Sequence, residues 1–121
     1  MRLQNNMFHI VRQDDTPAFD IALHADHVIY RAHFPGQPVT PGVCILQIIG
    51  ELLEEHLHQA LQLCQVKNLK FVRPLSPVDN NEVTVAFRHI DTDGDTVKTK
   101  GDITAEGATF TSFSIIYAKG D

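Results

Sequence analysis

Residues 33–43 read HFPGQPVTPGV, with one histidine, three prolines and two glycines in eleven positions, directly ahead of a long apolar run. Each proline fixes its own φ and turns the residue before it away from helical geometry, so the stretch is neither a helix interior nor a central strand. It reads as a stiff loop. A stiff loop that carries a histidine is a device for positioning a side chain.

Beyond the loop the period is helical. Val43, Leu46, Ile49, Leu53, Leu57 and Leu61 recur at spacings of three and four, and apolar residues at 45, 48 and 52 widen the stripe. The pattern predicts one helix over about residues 42–63, roughly five to six turns long. Its acidic, His-rich end, ELLEEHLHQ, is expected to face solvent. Before the loop, MFHIVRQ (7–13) reads as a short strand that closes in the solvated turn Asp14-Asp15-Thr16-Pro17. Ala18 to His24 then alternates, with Phe19, Ile21 and Leu23 on one face. From Val66 onward the period is two again, in VKNLKFV, EVTVAFRHI, TVKTKGDITAEG and TFTSFSIIYAK. Turn residues separate these runs at 74–81, at 91–95 around Gly94, and at Glu106-Gly107. The order strand, strand, long helix, then three or four antiparallel strands predicts an α+β domain in which a curved antiparallel sheet wraps one central helix.

Bulk properties narrow the function. A chain of 121 residues, 43% hydrophobic, is expected to form a single domain over 1–121. Ten basic residues against 15 acidic ones, scattered rather than clustered, argue against a nucleic-acid partner. No apolar window is long enough for a membrane span or a signal peptide, so no membrane insertion is expected. Cys44 and Cys64 have neither disulfide-framework nor metal-ligand spacing, which points to a reduced, cytoplasmic protein. His24 and His27 flank a polar turn, and His56 and His58 sit two apart on different helix faces, so no metal site is expected.

HFPGQPVTPGV resembles the signature loop of the 3-hydroxyacyl-acyl-carrier-protein dehydratases, the FabZ-type enzymes of the hotdog fold, in which His-Phe-x-Gly-x-Pro and a Pro-Gly lead into the central helix. Lys70-Phe71-Val72-Arg73-Pro74, with Pro77 and Asp79, resembles the same family's segment on the strand after the helix, and the element order agrees over nearly all of residues 7–118. The resemblance implies a homodimer with two sheets joined edge to edge, dimers-of-dimers and trimers-of-dimers remaining open. Each site would take the loop histidine from one subunit and a helix side chain from the other. The substrate would be an acyl thioester on the phosphopantetheine of acyl carrier protein or coenzyme A, with no further cofactor.

The chemistry such a site needs can be set against the residues. Loss of water from a 3-hydroxyacyl thioester requires a base for the α proton, a dipole at the thioester oxygen and a partner for the departing hydroxyl. His33 suits the first role, since a neutral imidazole can take a proton and pass it on. The resemblance assigns the second to Gly42, where the backbone N–H groups of Gly42 and Val43 would carry the positive end of the helix dipole. At the third position the family has Glu or Asp, whereas this chain has Gln47, and an amide can hydrogen-bond a hydroxyl but cannot donate a proton as an acid. Loss of a general acid typically costs about 10²- to 10⁴-fold in rate. Glu51 lies one helical turn further on, so acid and amide are exchanged relative to the family. Glu51 is either an acid that Gln47 orients or a partly buried helix carboxylate paired with a cation. Tyr30 and Phe34 would line an acyl channel or pack the core. Cys44 is read as a small buried helix cysteine rather than an activated thiol. Arg73-Pro74 either closes its strand or helps to place an acyl carrier. Two rival readings are a hotdog acyl-thioester hydrolase and a non-catalytic acyl-thioester-binding subunit.

Overall fold

The apolar run after the loop forms the longer of two helices: α1 spans Val28–Ala32 and α2 spans Gly42–Leu57 in the computed structural model, which describes residues 2–32 and 36–120. Cys44, Ile45, Ile48, Ile49, Leu52 and Leu53 are buried along α2, while Val43 is exposed. The buried stripe is therefore rotated from the one the sequence pattern implies. The helix is also six residues shorter than expected. His58 turns into the left-handed region at φ 52°, and its backbone N–H donates to the Glu54 carbonyl. Leu61 continues the helical spacing but belongs to the next strand, its N–H bonded to Glu54 Oε2 at 2.9 Å.

Six strands, β1 (Phe8–Asp14), β2 (Ala18–Leu23), β3 (Leu61–Phe71), β4 (Glu82–Asp91), β5 (Thr96–Ala105) and β6 (Ala108–Lys119), form one antiparallel sheet in the order β1-β2-β4-β5-β6-β3. β3 starts five residues before the expected Val66. Its register on β6 slips between Leu63 and Gln65 and again between Val66 and Asn68, so two bulges hide the alternation. The β5–β6 turn is the expected Glu106-Gly107, both residues at positive φ as a two-residue hairpin requires.

The concave face of the sheet supplies Phe19, Ile21, Val85, Phe87, Phe113 and Ile115 to a core closed by α2. Burying each such side chain contributes about 1.5–3 kcal/mol. Phe87 stands at the centre, edge-on to Phe19 (ring centroids 6.2 Å apart) and to Phe113 (5.7 Å). Gly101 of β5 admits no side chain, because a Cβ there would overlap the Ala86 carbonyl oxygen and lie 2.6 Å from the Phe113 ring. α1 and the N-terminal segment have no counterpart in the sequence reading. In that segment Leu3 and Met7 are buried against the core. Among the described residues, no helix is long and apolar enough to cross a membrane.

Candidate functional site

Of the predicted site residues, His33 and Phe34 lie outside the described residues. Their loop is nevertheless pinned on both flanks. Tyr30 of α1 and Thr40, just ahead of α2, are buried and share a hydroxyl–hydroxyl hydrogen bond of 2.9 Å. Thr40 also donates its N–H to the Leu75 carbonyl at 2.8 Å. Burial pushes the Tyr30 phenol up to about 12, against a smaller lowering effect of Thr40. Tyr30 thus packs the core and ties the ends of the histidine loop together.

The loop delivers the chain to the start of α2. Pro41 occupies the N-cap in extended geometry, no side chain among the described residues caps the helix, and the N–H groups of Cys44 and Ile45 both reach back to the Pro41 carbonyl. That leaves the first-turn N–H groups of Gly42 and Val43, the two residues expected to bind a thioester oxygen. The Phe71 ring closes over Gly42 so tightly that a Cβ there would lie 2.9 Å from Phe71 Cζ. Beside it lies a cavity of about 330 Å³ lined by Val39, Pro41, Gly42, Ile45, Phe71 and Leu75, with Arg73 also in its wall. The Lys70–Pro74 segment and the Pro-Gly loop, far apart in sequence, thus build one apolar pocket at a helix N-terminus. The Cys44 thiol is buried, and burial raises its pKa, the opposite of activation.

A second cavity, of about 170 Å³, lies between α2 and β3, lined by Val43, Leu46, Gln47, Gly50, Leu63 and Tyr117 among others. Gly42 and Val43 place the two cavities on either side of the first turn of α2. Gln47 and Glu51, one turn apart, meet directly: Gln47 Nε2 donates to Glu51 Oε2 at 2.8 Å. Glu51 is only 1% exposed, and its carboxylate also accepts backbone N–H bonds from Leu3 (2.6 Å) and Gln4 (2.8 Å). Arg2 Nε stands 3.8 Å from Oε1. The cation expected as a partner for Glu51 is therefore present, but two backbone amides hold the carboxylate more closely. Tyr117 closes the floor, and its buried hydroxyl has no hydrogen-bond partner among the described residues. Burial, and then the charge of Glu54, raise its pKa.

The remaining candidates lie apart. His24 pairs with His9 at 2.7 Å and with the Asn6 carbonyl at 2.8 Å, while His27 Nδ1 accepts the Ile29 N–H. Cys64 is exposed on β3. Among the described residues, no cluster of His, Cys, Asp and Glu could hold a metal ion. Sequence reasoning missed Tyr117, although the alternation in TFTSFSIIYAK places it with Phe113 and Ile115. It also missed Leu3 and Gln4, whose contribution is backbone and leaves no side-chain signal.

One antiparallel sheet curled around one helix, with a Pro/Gly loop feeding that helix, defines a hotdog-fold protein. Solved structures of that fold superpose on the chain. They include the dehydratase heterocomplex ApeI:P from Xenorhabdus doucetiae (TM-score 0.64, 18% identity, 90% of this chain and 96% of that one). The phenylacetic acid degradation protein PaaI from Thermus thermophilus is similar (0.67, 9%, 98% and 97%), as is a thioesterase from Staphylococcus aureus (0.66, 15%, 98% and 98%). None of the curated proteins matches the chain by sequence. The chain belongs to the ApeI-like family, whose model, described as ApeI dehydratase, matches residues 9–109.

Proposed function

We propose that this protein removes water from a 3-hydroxyacyl thioester to give the trans-2-enoyl thioester, in fatty-acid or related lipid biosynthesis. The observation that carries the reading is the match to the dehydratase family across residues 9–109. It is supported by an apolar pocket opening beside the uncapped N-terminus of α2. In this reading the acyl group arrives on the phosphopantetheine arm of acyl carrier protein or coenzyme A. Elimination transfers no hydride, so the reaction as proposed calls for no nicotinamide.

The steps rest on the residue types. The N–H groups of Gly42 and Val43 bind the thioester oxygen and stabilise the charge that collects there as the α C–H bond breaks. The His33 imidazole takes the α proton. The C3–O bond then breaks while the hydroxyl lies against Gln47, and His33 returns its proton to the departing oxygen, so that water leaves. Glu51 enters through Gln47 rather than as the proton donor, because its acceptor positions already face the N–H groups of Leu3, Gln4 and Gln47. Phe34 and Phe71 wall the acyl channel.

The reading includes a homodimer. β3 is an edge strand eleven residues long that leaves Leu63, Val66 and Phe71 exposed, and an exposed apolar edge of this kind is a template for pairing. In this reading two copies join along β3, and each site takes the histidine loop from one chain and a side chain of α2 from the other. A cytoplasmic setting accords with two unpaired cysteines.

The test is to incubate the protein with 3-hydroxyacyl thioesters of both carriers and to measure enoyl formation and free-thiol release together. Enoyl product without thiol is the expected result. Thiol release without enoyl product would replace the dehydratase by a hydrolase.

A further inference from the structure

The polar side chains that α2 presents to the cavity between α2 and β3 are engaged within the chain. Gln47 donates to Glu51, Glu51 accepts the N–H groups of Leu3 and Gln4, and Glu54 accepts the Leu61 N–H and pairs with Arg2. The Tyr117 hydroxyl differs from them. Tyr117 is 3% exposed and lines the same cavity, yet its oxygen has no hydrogen-bond partner among the described residues. Leaving a buried polar group unpaired costs about 1–3 kcal/mol, a cost that phenylalanine would avoid. Burial, and then the charge of Glu54, keep the phenol protonated, so it has a donor to offer. Gly50 stands opposite on α2. A Cβ there would lie 3.5 Å from the hydroxyl oxygen, so helix backbone rather than a side chain faces it. From Val43 in the first turn of α2 to Gly50, the cavity runs about 10 Å along the helix axis.

We propose that this cavity takes the acyl chain of the substrate, and that the Tyr117 hydroxyl donates a hydrogen bond to an oxygen carried on that chain beyond C3. Val43, Leu46, Leu61 and Leu63 give the cavity an apolar lining that accommodates methylene groups. The unpaired phenol at its floor accommodates one acceptor, a ketone, ether or hydroxyl oxygen. Because Gly50 has no side chain, the chain can lie against the phenol, which meets the acceptor by a small turn of its ring. An unsubstituted chain would fill the same space and leave the donor unpaired, so Tyr117 selects oxygenated chains over plain ones. The thioester end of the ligand rests on the dehydratase reading, whereas the unpaired donor does not.

The test compares two non-hydrolysable pantetheine thioethers of equal length, both with a 3-hydroxyl. One has a plain chain and the other a ketone at about C8, where an extended chain that starts beside Val43 reaches Gly50. The ratio of ketone to plain affinity is expected to fall by roughly five- to tenfold from the wild type to Tyr117→Phe, the worth of one net hydrogen bond. The infrared stretch of a ¹³C-labelled ketone reads the contact itself, and is expected at lower frequency on the wild type than on Tyr117→Phe. Gly50→Leu, which fills the cavity, is expected to weaken binding of both thioethers. An affinity ratio and a carbonyl frequency that are the same in the wild type and Tyr117→Phe would overturn the inference, as would undiminished binding of both thioethers by Gly50→Leu. Enoyl formation from plain 3-hydroxyacyl thioesters would in either case leave the dehydratase reading standing. Absence of both binding and enoyl formation in the wild type would overturn the two together.

Discussion

At the scale of single residues the informative position is 47, where an amide stands one turn from a buried acid. Replacing Gln47 by Glu would set two carboxyl groups within hydrogen-bond distance, and such a pair retains a proton that neither would hold alone. The expected outcome is a gain in dehydration rate of up to about 10²-fold, with a new alkaline limb in the pH–rate profile where the shared proton is lost. Tyr117→Phe removes a buried hydroxyl that has no partner among the described residues, and is expected to raise stability by about 1 kcal/mol in urea unfolding. Tyr30 gives a pH prediction. Its phenol titrates near 10 when unfolded and near 12 when folded, so the folded state holds the proton more tightly. That contribution to stability is complete below pH 10 and is lost as pH rises from 10 toward 12, and Tyr30→Phe should flatten this part of the alkaline decline. The amide at 47 and the acid at 51 are legible in the sequence. Their division of labour is not, because the groups that decide it are the backbone N–H groups of Leu3 and Gln4, and a backbone N–H carries no sequence signal.

At the scale of elements, periodicity finds the strands and the central helix but misplaces the junction between α2 and β3. Leu57 and Leu61 continue a helical spacing, yet His58 adopts left-handed geometry and the Glu54 side chain caps the next strand. Helix-like spacing across a tight turn is indistinguishable from helix until the cap is seen. The bulges of β3 disguise the rest, since each one shifts the alternation by a residue. Glu106-Gly107 is readable because a two-residue hairpin demands positive φ, and glycine adopts it without steric cost. Gly101 meets a different demand, that of close approach rather than of φ. Gly101→Ala would drive a methyl group into the Ala86 carbonyl and the Phe113 ring, and should cost at least about 1–3 kcal/mol by urea unfolding.

At the scale of the whole molecule, the sheet has two edges, β1 and β3, and their exposed surfaces differ. β3 leaves Leu63, Val66 and Phe71 exposed, and Phe71 also covers Gly42 at the start of α2, so the proposed pairing along β3 would touch the proposed site directly. Val66→Lys is expected to shift the protein toward monomer in sedimentation and to reduce turnover in parallel, because each proposed site draws on both chains. The overall architecture is legible because hydrophobic alternation and one long apolar helix leave few ways to bury both. The edge proposed for pairing is less so, since alternation alone starts β3 at Val66 and its exposed face is visible only in the fold. The reaction proposed for the site depends on the histidine loop performing an elimination. The decisive experiment is the rate of 3-hydroxyacyl to trans-2-enoyl conversion on an acyl-carrier-protein thioester, for the wild type and for His33→Ala. Turnover is expected in the wild type, with a loss of about 10²-fold or more in His33→Ala while its fold is retained. Equal rates in the two proteins would show that the loop histidine is not the base.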